Sequence, residues 1–174
     1  MNENAISIKN FSLSFGKKKI IDDLSFEIKK GEVFGLLGSN GSGKTSIIRT
    51  LLSLYQADSG ELLINGEVFA PGKKNILGYL PEERGLYKKE SVIDVMTYFG
   101  QLKGMTKKAA SKWSMGYLKR VGLEDKAKLK IDRLSGGQQQ KIQLGMTIIN
   151  SPDLLILDEP TKGFDPVNRQ LLMD

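Results

Sequence analysis

The amino-acid sequence predicts an α/β fold with a mixed or parallel sheet, N-terminal antiparallel strands and an inserted α-helical lobe. Three patterns support this prediction. The first 30 residues alternate apolar and polar side chains, as half-exposed strands do. Two short continuous apolar runs, at residues 33–37 and 154–157, have the composition of strands buried on both faces. Between them, residues 91–122 repeat apolar side chains at helical spacing among many lysines.

The amino-acid composition excludes several classes of protein and of active site. The 174 residues include 26 Lys and Arg against 20 Asp and Glu, which gives a formal net charge of +6, and 40% are hydrophobic. This is the composition of an ordinary globular domain rather than of a disordered chain. There is no cysteine and no histidine, so a disulfide scaffold, a Ser-His-Asp triad and histidine metal ligands are excluded within these residues. Proton transfer must then use carboxylates, lysine, tyrosine or water.

The basic side chains are scattered in short lysine clusters rather than gathered in one stripe. They suit either a solvated surface or a face near anionic lipid or nucleotide, and no nucleic-acid partner is expected. No apolar run is long enough to span a bilayer, and the first residues, Met1-Asn2-Glu3-Asn4, do not begin a secretory signal. We therefore expect a cytoplasmic chain that reaches a membrane through a partner.

The elements of the first half follow from these patterns in order. Alternation predicts strands at residues 6–15 and 24–28, and the uninterrupted run Val33–Leu37 predicts a strand buried on both faces. A glycine-rich loop comes next, and an amphipathic helix with its apolar side at residues 47–55 follows the loop. An Asn-Gly pair between apolar neighbours predicts a hairpin at residues 62–69.

The second half alternates between strands and helices. A short strand is expected before Pro81, and residues 91–122 are expected to form helices of a lobe with its own small aromatic core. Ser135 would begin a further helix, the run Leu154–Leu157 would form a second doubly buried strand, and residues 167–173 would begin a last helix.

The segment Gly38–Thr45 fits the pattern G-x-x-x-x-G-K-[ST]. Its glycines let successive backbone N–H groups close around phosphate oxygens, while Lys44 brings a positive charge and Thr45 a hydroxyl that can coordinate Mg²⁺. The helix that follows directs its positive end to the same place. An ordinary glycine-rich turn is the alternative, but the apolar strand before the loop and the amphipathic helix after it favour a nucleotide-phosphate site.

The run Leu154–Leu157 leads directly into Asp158-Glu159. A buried strand delivers such carboxylates to the carboxyl edge of a sheet, where ligands collect. Asp158 is a candidate Mg²⁺ ligand, and Glu159 is the candidate general base in a chain without histidine. An acid after a buried strand is a weak signal alone, but it becomes strong when paired with the phosphate loop.

The segment Leu134-Ser135-Gly136-Gly137-Gln138 precedes another helical pattern. Ser135 and Gln138 have the spacing of a capping box, which is the purely structural interpretation. Glycine in a first turn costs about 1 kcal/mol relative to alanine, and capping alone gives no reason for two of them. Close approach of an anion to the helix N-terminus is the functional interpretation.

These three motifs together resemble the nucleotide-binding domains of the ATP-binding cassette (ABC) family, and the resemblance runs from about residue 6 to residue 174. It implies a P-loop ATPase core with antiparallel strands and a helical lobe, and ATP and Mg²⁺ as cofactors. It also implies a second ATP-binding domain packed head-to-tail, so that the signature helix of one domain caps the γ-phosphate held by the other. Transmembrane permease subunits are the further implied partners, which would hold the chain on the inner face of the cell membrane.

The resemblance also assigns single residues. Phe15 falls where the family stacks an aromatic ring on adenine, although a core position at a strand end is the alternative, and Asp165 falls at the family's D-loop. Glu82 stands where the family usually has a metal-contacting glutamine. A carboxylate there can still bind metal, and the segment around it looks like a subset of export-type ATPases. The family's switch histidine would follow the last residue of this chain.

The hypothesis divides the chain into three regions. Residues 1–88 would hold the P-loop core and antiparallel strands, residues 89–134 the helical lobe, and residues 135–174 the signature helix, acidic strand and D-loop. The function expected is ATP hydrolysis that powers a membrane transporter, in the direction of export. The alternatives are a soluble ABC-type ATPase acting on ribosomes or DNA, and a non-hydrolysing nucleotide-gated module.

The candidate residues fall into three groups. The catalytic candidates are Glu159 and Lys44, and the metal candidates are Thr45, Asp158 and Glu82. In the family fold a further strand lies between those of Val33–Leu37 and Leu154–Asp158, so we expect these 174 residues alone to leave a gap and to be inactive. The cofactor-binding candidates are Phe15, Gly38, Ser39, Asn40, Gly41, Ser42, Gly43, Lys44, Thr45, Ser46, Ser135, Gly136, Gly137 and Gln138.

Overall fold

A computed structural model of the chain describes residues 3–70, 77–83 and 85–160. The chain packs as two compact units, Met1–Lys73 and Lys74–Asp174. The predicted α/β class is confirmed, with antiparallel strands in the first unit and a parallel strand pair with helices in the second. The finer division at residues 88 and 134 remains a prediction.

The first unit is built on a three-stranded antiparallel sheet with the order β2-β1-β3. Its strands are β1 (Asn4–Phe15), β2 (Lys18–Lys29) and β3 (Ser59–Ile64). Ile6 of the central strand lies opposite Ile28 on one side and Ile64 on the other, and all three side chains are buried. The two predicted alternating strands are therefore confirmed, because their apolar positions share one covered face.

The hairpin predicted at residues 62–69 forms only in part. Its turn is present, with φ of 52° at Asn65 and 83° at Gly66, as a tight hairpin turn requires. Ile64 then pairs with Glu67 in a single bridge. The returning strand at Val68-Phe69 was expected but does not form, and since Val68 is largely exposed, a longer pairing would bury little apolar surface.

The segment Val33–Leu37 contradicts the prediction of a doubly buried strand. Residues 33–37 belong to neither described sheet, and the side chains of Val33 and Leu37 are 99% and 92% exposed. Phe34 stacks on Phe26 of β2 with ring centroids 5.2 Å apart. The prediction is wrong here because apolar composition specifies burial only where a neighbouring strand supplies both the hydrogen-bond ladder and the cover. The strand expected between this segment and the acidic strand stays a prediction.

Helix α1 (Lys44–Leu51) follows the glycine-rich loop, as predicted. Its buried side includes Ile47 and Leu51. The helix ends four residues earlier than the apolar pattern suggested, because Leu52 caps it and Ser53 adopts a left-handed φ of 56°.

The second unit contains two parallel strands, β4 (Leu77–Leu80) and β5 (Leu154–Leu157). Their register runs from Leu77 opposite Leu154 to Leu80 opposite Leu157, so the chain leaves both strands at the same edge. Both strands were predicted, but the prediction that β5 is buried on both faces is wrong. Ile156 is buried and Leu155 is about half exposed, because β4 supplies a neighbour on one edge while one face stays uncovered.

Helices supply the core of this unit. They are α2 (Val92–Leu102), α3 (Lys107–Arg120) and α4 (Gly136–Ile148), with short 3₁₀ turns at Glu124–Lys126 and Ile131–Arg133. Ser91 caps α2 and Thr106 caps α3, each accepting a backbone N–H with its side-chain oxygen. The predicted helices of the lobe form, but their apolar core is not theirs alone, because α4 contributes Ile142 to it; its fully buried members include Val92, Met96, Leu118, Ile131 and Ile142.

Two predictions lie outside the described residues, namely the last helix at residues 167–173 and the D-loop residue Asp165. Among the helices that the structure describes, none combines the length and apolar character needed to cross a bilayer.

Candidate functional site

The phosphate loop lies between the end of the Val33–Leu37 segment and helix α1. Ser39, Asn40, Gly41 and Ser42 are exposed there, and the Ser42 N–H donates to the Ser39 carbonyl at 3.2 Å. Gly43 is the N-cap of α1 with φ 97°, and a Cβ there would lie 2.5 Å from Cδ1 of Ile21. Only glycine fits both the left-handed φ and this close packing. Glycine at position 43 therefore allows the loop to turn tightly into helix α1.

Lys44 is the first residue of α1, and its side chain folds back over the loop. Its Nζ donates to the carbonyls of Gly38 at 2.9 Å and Ser39 at 3.0 Å. No acidic residue occupies the first turn of α1, so the ammonium and the helix N-terminus place positive charge at one spot. Thr45 and Ser46 follow in the first turn and are partly buried. This arrangement suits an anion with several oxygens.

Phe15 ends strand β1 and is 47% exposed. The ring meets Tyr55 edge to face, with centroids 5.3 Å apart. Tyr55 is held in turn by Arg49, whose Nη1 donates to the hydroxyl at 2.9 Å and whose guanidinium carbon lies 5.8 Å from the ring centroid. Such exposure argues against a core position for Phe15 and leaves ring surface for stacking. Sequence reasoning missed this support, because Tyr55 had the spacing of another helical core residue.

The carboxylates of the second unit follow the ends of β4 and β5. Asp158 is buried, and its N–H donates to the carbonyl of Leu80 at 2.9 Å, which extends the parallel ladder by one bond. Glu159 is exposed and has a left-handed φ of 52°. Glu82 is exposed after β4. Since both strands end at the same edge, Asp158 and Glu82 follow neighbouring strand ends, where ligands of parallel sheets collect.

The backbone of Glu159 is strained. A non-glycine residue in the left-handed region costs about 1–2 kcal/mol. Such conformations cluster at functional sites, where the surrounding structure holds them. The adjacent side chains of Asp158 and Glu159 differ in burial, the first being buried and the second exposed.

The signature segment begins helix α4 with both halves of a capping box. Ser135 Oγ accepts from the Gln138 N–H at 3.3 Å, and Gln138 Oε1 accepts from the Ser135 N–H at 2.9 Å. An α-helix leaves its first four N–H groups without an intrahelical acceptor. The capping box gives hydrogen-bond acceptors to the N–H groups of Ser135 and Gln138. The N–H groups of Gly136 and Gly137 have no acceptor within the helix. The purely structural interpretation is thus correct for the cap, and the two glycine N–H groups are available to an anion.

The structure groups the predicted site residues in two sets. Phe15 and residues 38–46 belong to the first unit, and Glu82, residues 135–138 and Asp158-Glu159 belong to the second. Within the described ranges, no cluster of three or more acidic side chains gathers as a metal site. Hydroxyl and carboxylate oxygens are nonetheless the ligands that Mg²⁺ prefers, and it commonly takes only one or two carboxylates together with phosphates. The hydroxyl oxygen of Thr45 in the first unit and the carboxylate oxygens of Asp158 and Glu82 in the second are each of the kind that Mg²⁺ binds.

Comparison with known proteins identifies the family of the chain. Residues 21–162 match the ABC transporter family. The fold is similar to that of a solved ATP-binding subunit of an ABC transporter, with a TM-score of 0.86 and 25% identity over 97% of this chain and 72% of that one. The chain belongs to the ABC transporter family.

Curated proteins similar to this chain are also named as ATP-binding proteins. An ABC transporter ATP-binding protein of Methanocaldococcus jannaschii is 43% identical over 97% of this chain and 61% of its own length. The linearmycin resistance ATP-binding protein of Bacillus subtilis is 38% identical over 97% and 55%. The Nod factor export ATP-binding protein I of Burkholderia lata is 36% identical over 97% and 57%. The chain thus spans 55–61% of the length of these relatives.

Proposed function

We propose that this chain carries the ATP-binding and hydrolysing machinery of a membrane exporter. The observation that carries the proposal is the loop at α1, where Lys44 Nζ, a glycine N-cap and a helix N-terminus without acidic residues converge. This combination suits the β- and γ-phosphates of a nucleotide. The relatives that are named for Nod factor export and linearmycin resistance support the direction of transport.

Each residue of the machinery has a proposed role. Residues 38–46 bind the phosphates through backbone N–H groups and Lys44, and the exposed ring of Phe15 stacks on adenine. Thr45, Asp158 and Glu82 would hold Mg²⁺, which neutralises phosphate charge when bound. Glu159 orients the attacking water and accepts its proton, since no histidine is present.

The signature helix acts on a second copy or a homologous domain. The N–H groups of Gly136 and Gly137 and the hydroxyl of Ser135 would contact a γ-phosphate held by the partner's loop, which requires head-to-tail packing of two domains. Permease subunits would carry the substrate and hold the ATP-binding domains at the cytoplasmic face of the membrane. Turnover would need the full-length protein, and we expect residues 1–174 alone to be inactive.

Co-purification and co-sedimentation test this proposal. The full-length protein, expressed with its native membrane partner, should sediment with vesicles and hydrolyse ATP there. A full-length protein that hydrolyses ATP but stays off membranes and co-purifies with ribosomes or DNA would favour a soluble ABC-type ATPase. A protein that binds ATP without hydrolysis at any partner concentration would favour the nucleotide-gated module.

A further inference from the structure

Two buried glutamines stand one helical turn apart on α4, the helix that begins at the signature. Gln140 is 3% exposed and Gln143 is 5% exposed. Glutamine is rarely buried to this degree without a polar partner, because an amide that loses water without a hydrogen bond costs free energy. The partners of these two amides indicate what the glutamines do.

Each side-chain amide reaches a segment that carries a candidate carboxylate. Gln143 Nε2 donates to the carbonyls of Pro81 at 3.4 Å and Glu83 at 3.2 Å, and these two carbonyls flank Glu82. Gln140 Nε2 donates to the carbonyl of Pro160, next to Glu159, at 3.4 Å. The two prolines follow neighbouring strand ends, β4 and β5, so one helix face contacts both chain exits at the carboxylate edge.

Only one end of the Gln143 amide is satisfied by these bonds. Its Oε1 is buried and has no hydrogen-bond partner within the described part of the chain. Gln143 also lines a cavity of about 150 Å³ together with Pro81, Phe99, Lys103 and Met146, which has room for water. An apolar side chain would avoid this unsatisfied buried oxygen, so the two donated bonds give the reason for an amide here.

We propose that Gln143 is a positioning residue that tethers the Pro81–Glu83 segment to the signature helix, as Gln140 tethers Pro160. Glu82 and the helix that begins at Ser135 then move as one body. A movement of α4 at its signature end is thereby transmitted through Gln143 to the segment that carries the Glu82 carboxylate. This inference rests on the proposed role of Glu82, and the experiment separates the two.

The tether is tested with a nitroxide label at residue 83 of the full-length protein. Residues 1–174 contain no cysteine, so Glu83→Cys gives a single exposed labelling site within them. Gln143→Met keeps side-chain length and removes both donated bonds. We expect at least a twofold gain in label mobility in this variant, whereas Gln140→Met, whose amide binds the other segment, leaves the label at residue 83 unchanged. An unchanged spectrum in Gln143→Met overturns the proposal, as does an equal gain in Gln140→Met.

Kinetics then connect the tether to Glu82. In the unlabelled full-length protein, Gln143→Met should raise the Mg²⁺ concentration for half-maximal ATPase activity about fivefold, with the KM for ATP at saturating Mg²⁺ unchanged. Loss of kcat with an unchanged Mg²⁺ dependence would mean a merely structural role and overturns the proposed coupling.

The variant Glu82→Gln, in the otherwise native protein, separately tests the metal role of Glu82. If it leaves Mg²⁺ dependence unchanged while the label still responds to Gln143→Met, the metal role of Glu82 fails and the tether stands. Should Gln143→Met fail to fold, Gln143→Leu with the same label replaces it.

Discussion

Tyr117 and Gly145 pack directly against each other where α3 meets α4. A Cβ on Gly145 would lie 2.5 Å from Cε1 of Tyr117, closer than side chains approach. The Tyr117 hydroxyl donates to the Lys141 carbonyl at 2.7 Å, and burial raises the pKa of Tyr117, so the hydroxyl remains a donor throughout the physiological pH range. The absence of a side chain at residue 145 is what lets the ring come close enough to make this bond.

Gly145→Ala should therefore destabilise the protein although alanine favours helices. We expect a loss of about 1–3 kcal/mol in the free energy of unfolding, because the new methyl group forces the ring of Tyr117 out of place. Gly116→Ala is the matched control, since it lies in α3 with nothing within 4 Å of a Cβ. It should stabilise by about 0.5–1 kcal/mol. Urea unfolding monitored by circular dichroism measures both, and equal signs for the two variants would refute the packing argument.

Lys44→Ala should weaken ATP binding with little effect on the fold. The lysine supplies the phosphate charge, whereas its contacts with the Gly38 and Ser39 carbonyls lie on an exposed loop. We expect at least a tenfold loss of affinity, about 1.4 kcal/mol, measured by titration calorimetry on the full-length protein. Lys30→Ala removes an exposed lysine elsewhere in the first unit and serves as the control. Equal affinities for wild type and Lys44→Ala would defeat the assignment.

Phe15→Ala should lower affinity for ATP but not for inorganic triphosphate. A ring that stacks on a base contributes about 1–3 kcal/mol, and triphosphate carries no base. Tyr55→Ala should have the same selective effect in weaker form, since Tyr55 only supports the Phe15 ring. Competition against a fluorescent nucleotide separates the two ligands. If triphosphate and ATP lose affinity alike, Phe15 has a structural role only.

Glu159→Gln should preserve ATP binding and stop turnover. The amide keeps the shape of the carboxylate but cannot take a proton from water, and general-base catalysis contributes roughly 10²–10⁴-fold in rate. Uncleaved ATP should then hold two full-length domains together, which size-exclusion chromatography with ATP and Mg²⁺ detects as a dimer. Hydrolysis at an undiminished rate would show that Glu159 is not the base.

Glu159→Gly should separate stability from activity. Glycine adopts the φ of 52° at residue 159 without the steric cost that glutamate bears. We expect a free energy of unfolding equal to or above that of the wild type, together with lost turnover. Asp153→Gly, at another exposed residue near β5, should instead be destabilising, because glycine there only adds freedom to the unfolded chain. A strong loss of stability in Glu159→Gly would contradict the strain at this position.

The features that could be predicted from the sequence were those that depend only on residues close together in the chain. The loop before α1 and the capping box of Ser135 and Gln138 depend on residues within a few positions of each other, so their chemistry determines their geometry. The Val33–Leu37 segment failed as a prediction because strand burial depends on a distant neighbour. Gln143 gave no local signal either, since its partners lie about 60 positions earlier and only the folded structure brings them within hydrogen-bond distance.

The exposed Val33–Leu37 segment has a consequence for how the chain behaves in solution. Its five residues carry no charge and no proline, and an uncharged apolar stretch with strand propensity is the composition that seeds intermolecular β-pairing. Glu32 is the nearest charge that can oppose such pairing. We therefore expect concentrated preparations of residues 1–174 to precipitate through this stretch, and we expect added like charge beside it to keep them dispersed.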